Sequence, residues 1–232
     1  MTAPRDGDTH AHAGHDHDHD HGPAHHHDHD HPHAAIEDHD TVTAFHLLEQ
    51  AVRELLIETG VLSAAEIQRQ IELQESRTPA MGGRIVARAW TDPAFRQSLL
   101  EDPKSTLAAM GVDIAATPEL RVLENSEDVH HVVVCTLCSC YPRMLLGVPP
   151  AWYKSREYRA RVVHEPRVVL KEFGVELPPD TDVRVVDSTA DLRYLIIPRR
   201  PPGSEGLDEA ALAGWVGRDA MIGTGLARAP GA

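Results

Sequence analysis

The stretch Val132-Val133-Val134-Cys135-Thr136-Leu137-Cys138-Ser139-Cys140 holds every cysteine of the chain, directly after an apolar β-branched run. An odd number of thiols crowded into one turn does not make a disulfide framework. Zinc held by the thiolates plus His130 or His131 is one reading, yet structural zinc sites draw paired ligands from two knuckles and this chain has one. Chelate geometry suggests another. The Cys138 sulfur and the Ser139 amide nitrogen would close a six-membered ring on a metal. The Ser139 and Cys140 nitrogens, and then Cys140 nitrogen with its own sulfur, would close five-membered rings. Cys138-Ser139-Cys140 can therefore present a planar S-N-N-S set, with Cys135 looping back as an axial sulfur and one position open. Deprotonated amides need a stronger Lewis acid than Zn²⁺, which points to low-spin trivalent cobalt or iron. The candidate metal ligands are thus Cys135, Cys138, Ser139 and Cys140.

Upstream of the cysteines, Leu120, Val122 and Leu123, then Val129 to Val134, read as strands separated by Asn125-Ser126-Glu127-Asp128. Downstream, a helix is expected from about Glu165 to Phe173, stopped by Gly174. Two more strands follow at Val183–Val186 and Leu192–Ile197, with a last amphipathic helix over Leu207–Val216. Before residue 112 the period is helical. Val42, Phe45, Leu48, Val52 and Leu55 follow three- and four-residue steps after a candidate cap at Thr41, with Gly60 as the stop. Ser63 and Glu66 form a capping box for a second helix over Ala64–Glu75. Gly82-Gly83 is expected to mark a break before Ile85, and Asp92-Pro93 to restart a helix that Gly111 closes. The fold class is α+β, with a tail over 1–40, a helical arm over 41–112 and a metal-claw domain over 113–232.

The 232 residues carry a formal net charge of -14, but unevenly. Residues 1–40 hold ten acidic side chains against Arg5 alone, together with 13 of the 17 histidines. A segment with no apolar face has no core to build and is expected to be disordered. Its imidazoles suit borderline divalent metals, so the tail reads as a metal-gathering arm or an acidic solubiliser. The acidic balance excludes a phosphate-backbone binder, and no apolar run reaches the ~20 residues of a membrane helix. No secretory signal pattern is visible, and a cytoplasmic protein is expected.

The cysteine segment resembles the metal claw of the nitrile hydratase α subunit and of its relative, the thiocyanate hydrolase γ subunit. So do Ala87-Arg88-Ala89-Trp90-Thr91-Asp92-Pro93, Pro149-Pro150-Ala151-Trp152-Tyr153-Lys154-Ser155, Tyr158 to Val163, Glu165-Pro166-Arg167, Arg193 to Pro198 and Met221-Ile222-Gly223. The resemblance covers nearly everything after residue 41. It implies a layered α/β/β/α catalytic domain with a non-corrin Co(III) or, less in keeping with the sequence, Fe(III) centre. Thr136 and Tyr141 match the cobalt branch, whose iron relatives carry Ser and Thr there. It further implies Cys138 as sulfinate, Cys140 as sulfenate and Cys135 as axial thiolate, with Cys138, Ser139 and Cys140 forming the catalytic group. The implied partners are one or two β-type subunits and a cobalt-inserting activator. The implied reaction is water addition to a nitrile carbon, through an imidate, to an amide.

One residue departs from the usual pattern. Nitrile hydratases of this family resemble Cys-Tyr-Pro-Trp where this chain has Cys140-Tyr141-Pro142-Arg143. Thiocyanate hydrolase γ subunits look like this chain there, and a guanidinium suits an anion better than a neutral nitrile. Arg143 is accordingly the candidate substrate-binding residue, or else an ion-pair partner of another subunit. Ala115-Ala116-Thr117-Pro118 also lacks the Gln-Gly-Glu of many relatives. The readings are, in order, a nitrile hydratase α-type subunit, a thiocyanate hydrolase γ subunit yielding carbonyl sulfide and ammonia, and a non-catalytic cobalt-handling protein.

Overall fold

The computed structural model describes residues 43–114 and 117–231. The tail and the Thr41 cap expected above lie outside the described residues, as do Ala115 and Ala116. Helix α1 (Ala44–Glu58) is instead capped by Thr43, whose hydroxyl accepts from the His46 amide while the His46 ring accepts from the Thr43 N–H. Helix α2 (Ala64–Glu75) begins at the expected Ser63–Glu66 capping box. Neither helix contains a buried residue. Phe45 is 81% exposed, and Leu48, Val52 and Leu55 continue the same bare apolar stripe along α1.

Helices α3 (Ala80–Thr91), α4 (Pro93–Glu101) and α5 (Pro103–Ala109) enter the main core through Ile85, Val86, Leu99 and Leu107. Each such side chain contributes about 1.5–3 kcal/mol by leaving water. Gly82 and Gly83 do not break the chain but lie inside α3. A Cβ on Gly82 would meet Leu146 and Met221, and one on Gly83 would meet the Ala213 carbonyl. Tertiary closeness, not local flexibility, explains the pair. Asp92 and Asp102 cap α4 and α5, each followed by a proline at the first helical position.

Four strands follow: β1 (Glu119–Glu124), β2 (Val129–Val134), β3 (Asp182–Asp187) and β4 (Leu192–Ile197). They form two parallel pairs, β1 with β4 and β2 with β3. Parallel pairing needs a long crossover, and the β2-to-β3 crossover is the segment that carries the cysteines. It also carries the short α6 (Arg143–Leu146) and α7 (Ala151–Lys154), then α8 (Arg156–His164) and α9 (Pro166–Glu172). Helix α8 was not foreseen. Its arginine Arg161 ties Glu157, Glu165 and Glu172 together, which fastens α8 to α9. The last helix is shorter than expected, α10 (Glu209–Ala213), and a 3₁₀ turn over Asp219–Ile222 follows it.

Candidate metal centre

Strand β2 ends at Val134, and its register places Val134 beside Asp187 at the end of β3. That adjacency builds the claw. The Asp187 carboxylate accepts the Thr136 amide at 2.9 Å and the Thr136 hydroxyl at 2.5 Å. From the other side Arg159 donates to the Thr136 carbonyl at 3.1 Å. Ser188 N–H extends the ladder to the Val134 carbonyl at 2.7 Å. The loop is thereby clamped at its second residue, and its sulfurs fold back on one another.

Cys135 Sγ lies 3.5 Å from Cys138 Sγ, which lies 3.3 Å from Cys140 Sγ, and all three are within 4.8 Å of one another. The Cys138 amide donates to the Cys135 sulfur at 3.3 Å. Contact with the Cys140 side chain, and then the Ser139 amide, hold the Cys138 thiol below its ordinary range. Burial, reinforced by Cys138, pushes Cys140 up to about 12. Cys135 is buried, Cys140 half-buried and Cys138 exposed. Three thiols this close make a donor set that fits a soft or borderline metal ion.

Beneath the claw lies an aromatic floor. Tyr141 and Tyr153 meet edge to face at 5.1 Å, and Tyr153 neighbours Tyr158. Tyr153 donates to the Cys140 carbonyl and Tyr158 to the Val133 carbonyl, each at 2.8 Å. Burial pushes both phenols well above their usual range, so they remain O–H donors. They anchor the two ends of the claw backbone.

The histidines are placed elsewhere. Asn125 donates to His130 Nδ1 at 3.2 Å, while His130 Nε2 donates to the Gly223 carbonyl at 2.7 Å. His131 Nδ1 donates to the Asn125 side-chain oxygen at 3.1 Å. Among the described residues the cysteines alone cluster as metal donors, so neither histidine completes a zinc site. Burial lowers the pKa of both rings.

Above Cys138, Ser139 and Cys140 opens a cleft of about 400 Å³, bordered by Arg77, Arg143, Met144 and Arg193. Arg143, singled out by the sequence, is therefore at the site, exposed on the first residue of α6. Asp187, Arg159 and Tyr153 support the claw without having been singled out for that role. Asp187 is brought in by the β2–β3 register, which no local pattern reveals, whereas Tyr153 and Arg159 reach the claw from α7 and α8.

The family model for the nitrile hydratase alpha chain matches residues 43–225. The low-molecular weight cobalt-containing nitrile hydratase subunit alpha of Rhodococcus rhodochrous is 46% identical over 182 residues, 78% of this chain and 88% of that one. Thiocyanate hydrolase subunit gamma of Thiobacillus thioparus is 43% identical over 198 residues, 81% and 82% of the two chains. A recombinant thiocyanate hydrolase comprising partially-modified cobalt centres has a TM-score of 0.76 at 42% identity, covering 82% of this chain and 93% of that chain. With its helices and small parallel sheets shared at that level, this chain belongs to the nitrile hydratase α-chain family.

Proposed function

We propose that the chain is the metal-bearing α-type subunit of a nitrile hydratase, with cobalt held by Cys135, Cys138 and Cys140 and by the amides of Ser139 and Cys140. The observation that carries this reading is the cluster of three cysteine sulfurs within 4.8 Å of one another at the end of β2. Such an ion supplies a Lewis acid at the cleft, for water addition to C≡N. The chain's own residues do the rest. Asp187, Arg159 and Tyr153 fix the claw backbone, so the donors are set before substrate arrives. The exposure order favours Cys138 as sulfinate and Cys140 as sulfenate, with buried Cys135 left as thiolate. Arg143 meets the substrate at the cleft.

The exposed apolar stripe of α1 and, separately, the 82% exposed Leu137 at the claw favour a second, β-type chain that covers them. The activator and the cytoplasmic setting belong to the same reading. Cys140→Ala in the co-purified complex is expected to abolish amide formation and cut cobalt content while the circular dichroism spectrum is retained. Full activity in that variant would sink the claw assignment.

A specific observation favours a second substrate. Arg143 stands where relatives place an aromatic wall, and the cleft residues include no carboxylate. Thiocyanate, hydrolysed to carbonyl sulfide and ammonia, fits that cationic lining. Side-by-side assay on a neutral nitrile and on thiocyanate, with Arg143→Trp, decides between them. Thiocyanate turnover lost in the variant assigns the anion; amide formation without thiocyanate turnover assigns the nitrile.

A further inference from the structure

Three guanidinium groups border the cleft, and each comes from a different part of the chain. Arg143 opens α6, Arg193 lies on β4, and Arg77 sits just beyond the end of α2. Arg193 is held by the carbonyls of Ala190 at 3.2 Å and Leu192 at 3.1 Å, and Arg77 reaches the Gln74 side-chain oxygen at 3.5 Å. Among the described residues none of the three forms an ion pair. Like charges gathered without counter-charge repel, and a cleft lined by one sign concentrates the opposite ion.

Arg77 is there by construction. Gly147, which ends α6, has φ +73, and a Cβ on it would run into the Arg77 carbonyl oxygen. Only a glycine permits that approach. The backbone contact seats the segment carrying Arg77 flush against the turn that follows Arg143. Arg77 is half-buried, unlike the exposed residues around it on α2.

We infer that Arg77 is a specificity-determining residue, completing a three-guanidinium port that takes a small linear monoanion carrying the C≡N bond. Substrate choice then depends on the segment that follows α2 as well as on the claw. This rests on the proposed C≡N hydration.

The test uses the cobalt-loaded complex with its partner chain, carrying Arg77→Gln or Arg77→Lys, with Arg199→Gln, beyond the far end of β4 from Arg193, as a charge control outside the cleft. The quantity read is the kcat/KM for thiocyanate divided by that for a neutral nitrile. Arg77→Gln is expected to lower this ratio about tenfold, mostly through KM for thiocyanate, as for loss of one charge-assisted hydrogen bond. Arg77→Lys should keep most of it, and raising ionic strength should erode the ratio less in Arg77→Gln than in the parent. If the parent turns over nitrile alone, the inhibition constant of thiocyanate against that reaction replaces the ratio and should rise about tenfold. An unchanged ratio, or an equal loss on both substrates, overturns the inference. If neither substrate is hydrated the proposed function falls. Equilibrium binding of labelled thiocyanate, weaker in Arg77→Gln if the port is real and unchanged if it is not, then decides Arg77 separately.

Discussion

At the scale of single residues, His130 shows how a buried group ties stability to pH. Its ring is neutral, with Asn125 on one nitrogen and the Gly223 carbonyl on the other. Burial lowers its pKa in the folded chain, against an opposing push from the Gly223 carbonyl. Below the ordinary histidine value of about 6.5 the unfolded chain therefore takes up a proton that the folded chain refuses. Stability is complete above that value and is lost as pH falls toward the depressed folded one. His131, lowered by burial and by Arg184, acts in the same direction. Urea midpoints at pH 7.5 and 5.5 should differ, with the lower pH less stable, and His130→Gln should flatten the difference. An unchanged midpoint in the parent would contradict the buried neutral ring. The clustering of the three sulfurs was legible from sequence because the cysteines fall within six consecutive residues. Asp187 was not, because it meets Thr136 from 51 residues away.

At the scale of elements, glycine does two different jobs, and a sequence reading confuses them. Gly60, Gly111 and Gly174 end helices with positive φ and open space around them, which local signals foretell. Gly82 and Gly83 sit within α3 because neighbouring elements press on them, which no local signal reveals. Gly223 combines both demands, with φ +81 and a would-be Cβ driven into the His131 carbonyl. Gly223→Ala should therefore destabilise by more than Gly174→Ala, which carries only the backbone cost of about 1–2 kcal/mol. Thermal denaturation of the two variants checks this, and equal losses would mean that the turn yields at little cost. At α1 the cap is Thr43 rather than the expected Thr41, while the Ser63–Glu66 capping box and the Asp92-Pro93 start were readable because their partners lie three residues apart. The pairing of β1 with β4 and β2 with β3 was not, since it joins segments dozens of residues apart.

At the scale of the whole molecule, charge and function separate along the chain. The His/Asp-rich residues 1–40 hold 13 histidines and, with ten acidic side chains against Arg5 alone, most of the net charge of -14, and the cysteine centre lies about a hundred residues later. The tail's composition suits either a metal-gathering arm or an acidic solubiliser. Deleting residues 1–40 should lower cobalt loading when cobalt is scarce, with turnover per bound cobalt unchanged; equal loading at limiting cobalt would leave the tail a solubiliser. In the described residues no helix is long and apolar enough to cross a membrane. The parallel β2–β3 pair has a consequence for biosynthesis. The ribosome delivers Cys135, Cys138 and Cys140 well before Asp187, and the strand that carries Asp187 is the one that clamps their loop. Non-local pairing of this kind closes late. Until residues 182–187 emerge the three thiols travel on an unclamped loop, so a metal taken up as proposed above would enter the finished chain rather than the nascent one.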